Sequence, residues 1–331
     1  MCSALIDVVG IGNAIVDVIA HADERFIVDQ GLAAGAMTLI DAERADSLYR
    51  AMGPAIESSG GSAGNTMAGI ASLGGAGGYI GKVRDDQLGA VFRHDITAIG
   101  VRFDTPAATS GPTTARCLIM VTPDGQRTMG TYLGACVELG PEDIDEALIA
   151  AAQITYLEGY LFDPPQAQAA FRRAASVAHA AGRHVALSLS DPFCVERHRA
   201  DFRELVQGEV DILFANEAEI CSLYETGDFV AAAKAVRSHV EVAALTRSGA
   251  GSVIICGDEA HRIAAAPIER IIDTTGAGDL YASGFLYGLT RGLPLSICGE
   301  IGSLCAAEII SHVGARPEIG LKGLVEAAGL V

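Results

Sequence analysis

The sequence predicts an α/β fold: a mostly parallel central sheet with helices on both faces, plus a small β-sheet lid. Three observations carry this. From residue 141 onward, short strand-like runs alternate with helical stretches, the pattern of right-handed crossovers in a parallel sheet. Half of the 331 residues are apolar and 39 are glycine, which suits closely packed helices on a buried sheet. Between about 105 and 135 the texture changes to alternating, Thr-rich segments around Pro123-Asp124-Gly125, a hairpin signal that does not belong to the parallel sheet.

Along the chain, 5–11 reads as a short buried strand ended by Gly12. The small-residue run 63–73 reads as a helix, 78–83 as a strand and 87–99 as an amphipathic helix. The segments 116–121 and 126–133 flank the turn as a hairpin. The alternation then gives a helix at 141–150, a strand at 153–157 and a helix at 165–181. Strands follow at 184–189, 210–214 and 241–246, separated by helical stretches, and two long helices at 276–291 and 294–312 end the pattern. The whole chain, 1–331, reads as one domain, with the lid formed by about 14–45 and 103–135.

The formal charge is −18, which argues against nucleic acid, whose phosphates would be repelled. An anionic substrate must therefore meet a local cluster of donors. Eight cysteines are scattered without a C-x-x-C pair; in a chain of this length they read as buried small hydrophobes in a reducing compartment. There is no signal-peptide pattern and no run of 18 apolar residues, so the expectation is a cytoplasmic protein without a membrane partner.

The most informative stretch is Asp273-Thr-Thr-Gly-Ala-Gly-Asp279, at the opening of an apolar helix. Main-chain N–H groups at a helix start have no intrahelical partner and carry the positive end of the dipole, so they favour an anion. An Asp beside such a hole can take a proton from a hydroxyl while the hole stabilises a transferring phosphoryl group. The bland alternative is a Gly-rich N-cap with Asp279 as a dipole-pairing carboxylate. Gly60-Gly-Ser-Ala-Gly-Asn65 also opens a helix with glycines, so main-chain groups there can touch a polar ligand. Two glycine runs fail as motifs. Gly10–Ile15 begins like a dinucleotide fingerprint but has Ile15 at the third glycine, and 76–83 has Ala76 and Val83 at both diagnostic ends of a P-loop.

Taken together, these segments resemble the ribokinase-like family of carbohydrate and nucleoside kinases, the PfkB family. Asp273–Asp279 and Gly60–Asn65 match its two signatures; Asn216-Glu-Ala-Glu219 and Thr246-Arg-Ser-Gly249-Ala-Gly251 match its metal and nucleotide elements. The resemblance implies a ribokinase-like fold and ATP-dependent phosphotransfer to an alcohol. It implies Asp279 as general base, with Gly276, Ala277 and Gly278 as the anion hole. It further implies Asn13, Asp17, Gly60, Gly61 and Asn65 around the acceptor hydroxyls. Asn216, Thr246, Gly249 and Gly251 would line the nucleotide site, and Glu219 would hold Mg2+ through water. Arg127, past the hairpin turn, is a candidate for the γ-phosphate or a solvated hairpin arginine. Main-chain carbonyls near Asp273, Thr275 and 311–315 are candidates for a monovalent cation such as K+.

The opening 12–17 and the stretch 59–65 look most like adenosine-kinase-like members, which makes the 5′-hydroxyl of adenosine the expected acceptor. Ribose, a fructose-type sugar or keto-deoxygluconate is the alternative, as is a catalytically silent binding protein. With no Trp in the chain, a purine slot would rest on Phe26, Met37, Leu133, Tyr160 and Phe162, each of which also fits the core or lid packing. A monomer and a homodimer are both compatible.

Overall fold

In the computed structural model, which describes residues 6–123 and 126–331, side chains of the first strand, β1 (Ile6–Ile11), alternate between two buried cores. Val8 belongs to one, Val9 and Ile11 to the other, and all three are fully buried. A strand buried on both faces has no polar alternation to show, and here it sits inside a parallel sheet. β1 pairs in parallel with β5 (Gly77–Ile80) on one side and β8 (Ala152–Glu158) on the other. β9 (His184–Ser188), β10 (Ile212–Asn216) and β11 (Val242–Thr246) continue the parallel sheet. β12 (Ser252–Cys256) and β13 (Glu259–Ile263) close the edge antiparallel, so the order is β13-β12-β11-β10-β9-β8-β1-β5.

One face is covered by α3 (Ser62–Ser72), α11 (Ala277–Thr290), α12 (Leu295–Ile309) and α13 (Leu321–Ala327). The other carries α5 (Glu146–Ala151), α6 (Pro165–Ala180), α7 (Pro192–Arg197), α8 (Arg199–Gly208), α9 (Glu217–Tyr224) and α10 (Phe229–Val236). The helix expected at 141–150 is split. Pro141–Asp143 forms a 3-10 turn, Ile144 is extended, and Asp145 caps α5 by accepting from the Leu148 N–H at 3.0 Å.

The second sheet has the order β3-β7-β6-β2-β4, with β2 (Ile15–His21), β3 (Met37–Leu39), β4 (Ala55–Ser59), β6 (Ala115–Val121) and β7 (Arg127–Tyr132). β6 and β7 pair antiparallel as the hairpin pattern predicts, though Asp124 and Gly125 of its turn, like Cys2 and Leu5, lie outside the described residues. β4 falls beyond the expected lid segments 14–45 and 103–135. It is an edge strand with Ala55 and Ile56 exposed, so it carries no alternation to read. Val16, Val18, Leu118 and Met120 pack inward with α1 (Glu24–Asp29), α2 (Ala42–Ala51) and α4 (Gln87–Ala98). The opposite face carries Ile15, Ile19, Cys117, Ile119, Val121 and Met129, with Asp17 in the same row.

Gly10–Ile15 runs from β1 straight into β2, which excludes the helix a dinucleotide fingerprint needs. Lys82 of the P-loop-like run is instead paired with Asp143 at 2.8 Å. The described cysteines are free thiols; Cys117, Cys136, Cys194, Cys298 and Cys305 are buried, Cys221 and Cys256 half-buried. No helix among the described residues is long and apolar enough to cross a membrane.

Candidate functional site

β1 is the switch point of the large sheet: the chain leaves it to one side for β5 and returns on the other as β8. Ligands bind beyond the carboxyl ends of strands at such a point. Gly276 has φ +79°, a left-handed turn that glycine adopts without strain, and it opens α11 with no side-chain cap. Its N–H and that of Gly278 have no acceptor among the described residues, whereas the Ala277 N–H donates to the Thr274 carbonyl at 3.2 Å. Ala277 therefore closes the turn instead of offering its N–H as expected. Asp273 braces it: one carboxylate oxygen accepts from the Thr275 N–H and hydroxyl, the other from the Gly314 N–H and the Arg127 Nη1 at 2.9 Å.

Asp279, in the first turn of α11, accepts from Ser62 Oγ at 2.6 Å and from Asn65 Nδ2 at 2.9 Å. Burial raises its carboxyl above the usual range; these two hydrogen bonds and the Arg316 guanidinium oppose the rise. The signature turn and the Gly60–Asn65 loop, some 200 residues apart in sequence, thus meet at one carboxylate. Asn65 was expected on the acceptor; its Nδ2 holds Asp279, and its Oδ1 is buried without a partner.

Asn13, just past β1, donates from its N–H and Nδ2 to Glu158 Oε1 at 3.3 and 2.8 Å, while Glu158 Oε2 accepts from the Ala63 N–H at 2.7 Å. The Asn13 Oδ1 is likewise buried and unpaired. Burial pushes the Glu158 carboxyl up to about 7, against those hydrogen bonds. Sequence reading missed Glu158; its one signal is a carboxylate at the end of a strand next to the switch point. The two glycines of the loop also serve differently from expectation. A Cβ on Gly60 would lie 2.4 Å from Asp17 Oδ2, and one on Gly61 (φ +81°) 2.2 Å from the Asn13 carbonyl, so both make room for protein groups at the site. Burial raises Asp17 to about 6, with Arg316 and Arg127 opposing and Asp279 adding to it.

Asn216 ends β10 and Thr246 is its register neighbour on β11. Asn216 and Glu219 form a reciprocal cap at the start of α9: Asn216 Oδ1 accepts from the Glu219 N–H, and the Glu219 oxygens accept from the Asn216 N–H and Nδ2. Glu219 is 6% exposed, and burial together with Asp191 and Asp279 lifts it to about 7. Each of its oxygens keeps a lone pair, and a carboxylate held this way is relieved by a nearby cation. No cluster of three metal-ligating side chains exists among the described residues. The donor set thus fits a metal held through water, not a protein cage. Past Thr246, Ser248–Ala250 makes a tight turn closed by Arg247 N–H to the Gly251 carbonyl at 2.7 Å. Gly251 (φ +81°) lies against the Ile263 carbonyl, and Gly249 faces open space.

Arg127 is 8% exposed; besides its pair with Asp273, its Nε and Nη2 have no partner among the described residues. Of the residues considered for a base slot, Tyr160 lies in the 3-10 turn Gly159–Phe162, directly after Glu158 at the end of β8, and is 40% exposed. Phe162 is fully buried and stacks on Phe202 at 4.4 Å in the core behind the sheet. Phe26 packs against the other core, Met37 and Leu39 are exposed on β3, and Leu133 leads the turn after β7.

Residues 34–319 match the family model described as pfkB family carbohydrate kinase. Among solved structures, an adenosine kinase from Sinorhizobium meliloti is 53% identical, with TM-score 0.91 over 98% of this chain and 99% of that one. A probable sugar kinase from Rhizobium etli CFN 42 is 50% identical, with TM-score 0.92 and the same coverage. Among curated proteins, an ATP-dependent ribose-1-phosphate kinase from Halopiger xanaduensis is 30% identical over 78% of this chain and 83% of its own length.

Proposed function

Because this chain belongs to the pfkB family of carbohydrate kinases, phosphotransferases that act on an alcohol group with ATP and a divalent metal, we propose that its acceptor is adenosine, phosphorylated on the 5′-hydroxyl. The observation that carries this choice is the 53% identity, over nearly the whole chain, to the Sinorhizobium meliloti adenosine kinase. A free-sugar acceptor is the second reading, favoured by the 50% identical probable sugar kinase.

Asp279 takes the proton from the acceptor hydroxyl as its oxygen attacks the γ-phosphorus in line; Ser62 and Asn65 fix the carboxylate for that step. The N–H groups of Gly276 and Gly278 stabilise the charge on the phosphoryl oxygens. Asp17 and the free Oδ1 atoms of Asn13 and Asn65 receive the acceptor's other hydroxyls. Arg127 turns its two unpaired donors to the γ-phosphate. Thr246, Gly249 and Gly251 line the nucleotide. Asn216 and Glu219 would hold the water shell of Mg2+, whose charge would offset that of the phosphates. A K+ site would draw on the carbonyls near Asp273, Thr275 and 311–315, segments already tied by Gly314 N–H to Asp273. Closure of the second sheet over the acceptor excludes water and suppresses ATP hydrolysis.

The test is ADP release from Mg·ATP against adenosine, other nucleosides, ribose, fructose and keto-deoxygluconate. Turnover concentrated on adenosine is expected. Turnover on a free sugar keeps the mechanism and replaces the acceptor, and silence across the panel leaves the silent binding protein.

A further inference from the structure

We propose that Arg316, outside every motif of the sequence, is a positioning residue that holds the acceptor loop against the anion-binding turn. The inference rests on the phosphotransfer reading for its kinetic consequence, but not for its structural one.

Three consecutive residues after α12 each grip a different part of the site. The Gly314 N–H donates to Asp273, Ala315 packs on Gly276 so closely that a Cβ there would sit 3.0 Å from the Ala315 methyl, and Arg316 reaches the other loop. Its Nε and Nη2 donate to the Ser59 carbonyl at 3.0 and 2.8 Å, Nη2 also to Ser59 Oγ at 2.9 Å, and Nη1 to the Gly64 carbonyl at 2.7 Å. These bonds span the ends of the 59–64 stretch that contains Gly60, Gly61 and Ser62. Ser59 is held from its other side by Asp95, which accepts from both its N–H and its hydroxyl. A planar fork spreads its five donors over three nitrogens in a fixed geometry, and here all three are used; a lysine offers its three donors from a single nitrogen.

The charge matters as well as the fork. The guanidinium is buried, and burial is the main influence lowering its proton affinity. Asp95 of α4, Asp17 of β2 and Asp279 of α11 oppose that loss. The other cation near Asp17 is Arg127, already committed to Asp273. Glu158 and Asp279 add negative charge to the same pocket. A buried cation without these partners would be costly, so its presence here is matched to the carboxylates.

The experiment uses the full chain and two variants, Arg316→Gln and Arg316→Lys. With whichever acceptor the wild type turns over, Arg316→Gln is expected to raise the acceptor KM about 10-fold, the scale of losing hydrogen bonds from a charged donor. ATP KM should change little. The acid limb of its kcat/KM profile moves to higher pH, because Asp17 and Asp279 lose the cation opposing their protonation. Arg316→Lys restores the limb but not the acceptor KM. Amide hydrogen exchange reads the tie without substrate: the hydrogen-bonded amides of 60–65 (Gly60, Ala63, Asn65) and of 276–280 (Ala277, Leu280) lose protection in Arg316→Gln while those of β12 and β13 do not. Unchanged protection at both segments, or an unshifted acid limb with equal losses for ATP and acceptor, overturns the proposal. A wild type that phosphorylates nothing in the acceptor panel overturns the functional reading instead, and the exchange result still decides the role of Arg316.

Discussion

At the scale of single residues, Asp279 and Gly60 make opposite kinds of prediction. Asp279→Asn keeps the shape of the side chain and removes the base, so turnover should fall by about 10²–10⁴. The melting temperature should hold or rise, since a buried charge is gone. A near-normal rate would sink the base assignment. Gly60→Ala keeps the base and puts a methyl into the carboxylate of Asp17, 2.4 Å away. The acceptor KM should rise about 10-fold or more as Asp17 is displaced, with the ATP KM unaffected; an unchanged acceptor KM would separate Asp17 from the acceptor site. The sequence singled out Asp279 because a glycine pair at a helix start leaves N–H groups free beside a carboxylate, although a dipole-pairing N-cap reads the same way. It made Gly60 half legible: that a side chain is excluded there can be read, but what excludes it cannot, since Asp17 lies 43 positions earlier, on β2, the strand paired with β4. Glu158 and Arg316 were illegible for the same reason. Their meaning lies in partners far along the chain, and no local spacing marks them.

Among elements, the parallel sheet was largely readable and the second sheet was not. Strands β8 to β11 are separated by helices of ordinary length, and each is a compact apolar run. β3 has three residues, all exposed, and β4 lies at an edge, so neither carries a periodic signal. Only the β6–β7 hairpin announced itself, through its turn. The same hairpin brings Arg127 to Asp273, tying the second sheet to the turn before α11 by a buried ion pair, 7% and 8% exposed. Removing one partner strands the other charge, so Arg127→Met should lower stability by about 3–5 kcal/mol. Adding Asp273→Asn should recover part of that loss, although Thr275 and Gly314 also lean on Asp273. If the tie also governs closure, Arg127→Met should raise the ATP KM and the ratio of ADP released to acceptor phosphorylated. A loss of stability with a normal ratio would confine the pair to a structural role.

For the whole molecule, an unusual pH dependence follows from the site's carboxylates. Asp17 is raised to about 6 and Glu158 and Glu219 to about 7, all by burial. An acid whose folded value lies above its unfolded one binds more protons in the native state, so stability falls as pH rises through that interval. The ligand-free protein should therefore gain stability on acidification from pH 7.5 to about 5.5, where many proteins begin to lose it. Ion-paired carboxylates such as Asp7, held below the usual range against its burial mainly by its hydrogen bond to Arg291, reverse the trend only at lower pH. The net charge of −18 pushes in the same direction, because self-repulsion eases toward the isoelectric point near 4.7. Salt separates the two causes: half-molar chloride shortens the screening length to about 4 Å and quenches surface repulsion, but reaches buried groups poorly. Melting temperatures at pH 5.5, 6.5 and 7.5, in low and high salt, should keep most of their upward slope toward acid in high salt. Mg·ATP should flatten that slope, because a cation beside Glu219 favours its ionised form. A slope that vanishes in salt would assign the effect to the acidic surface and leave the site's carboxylates with ordinary proton affinities.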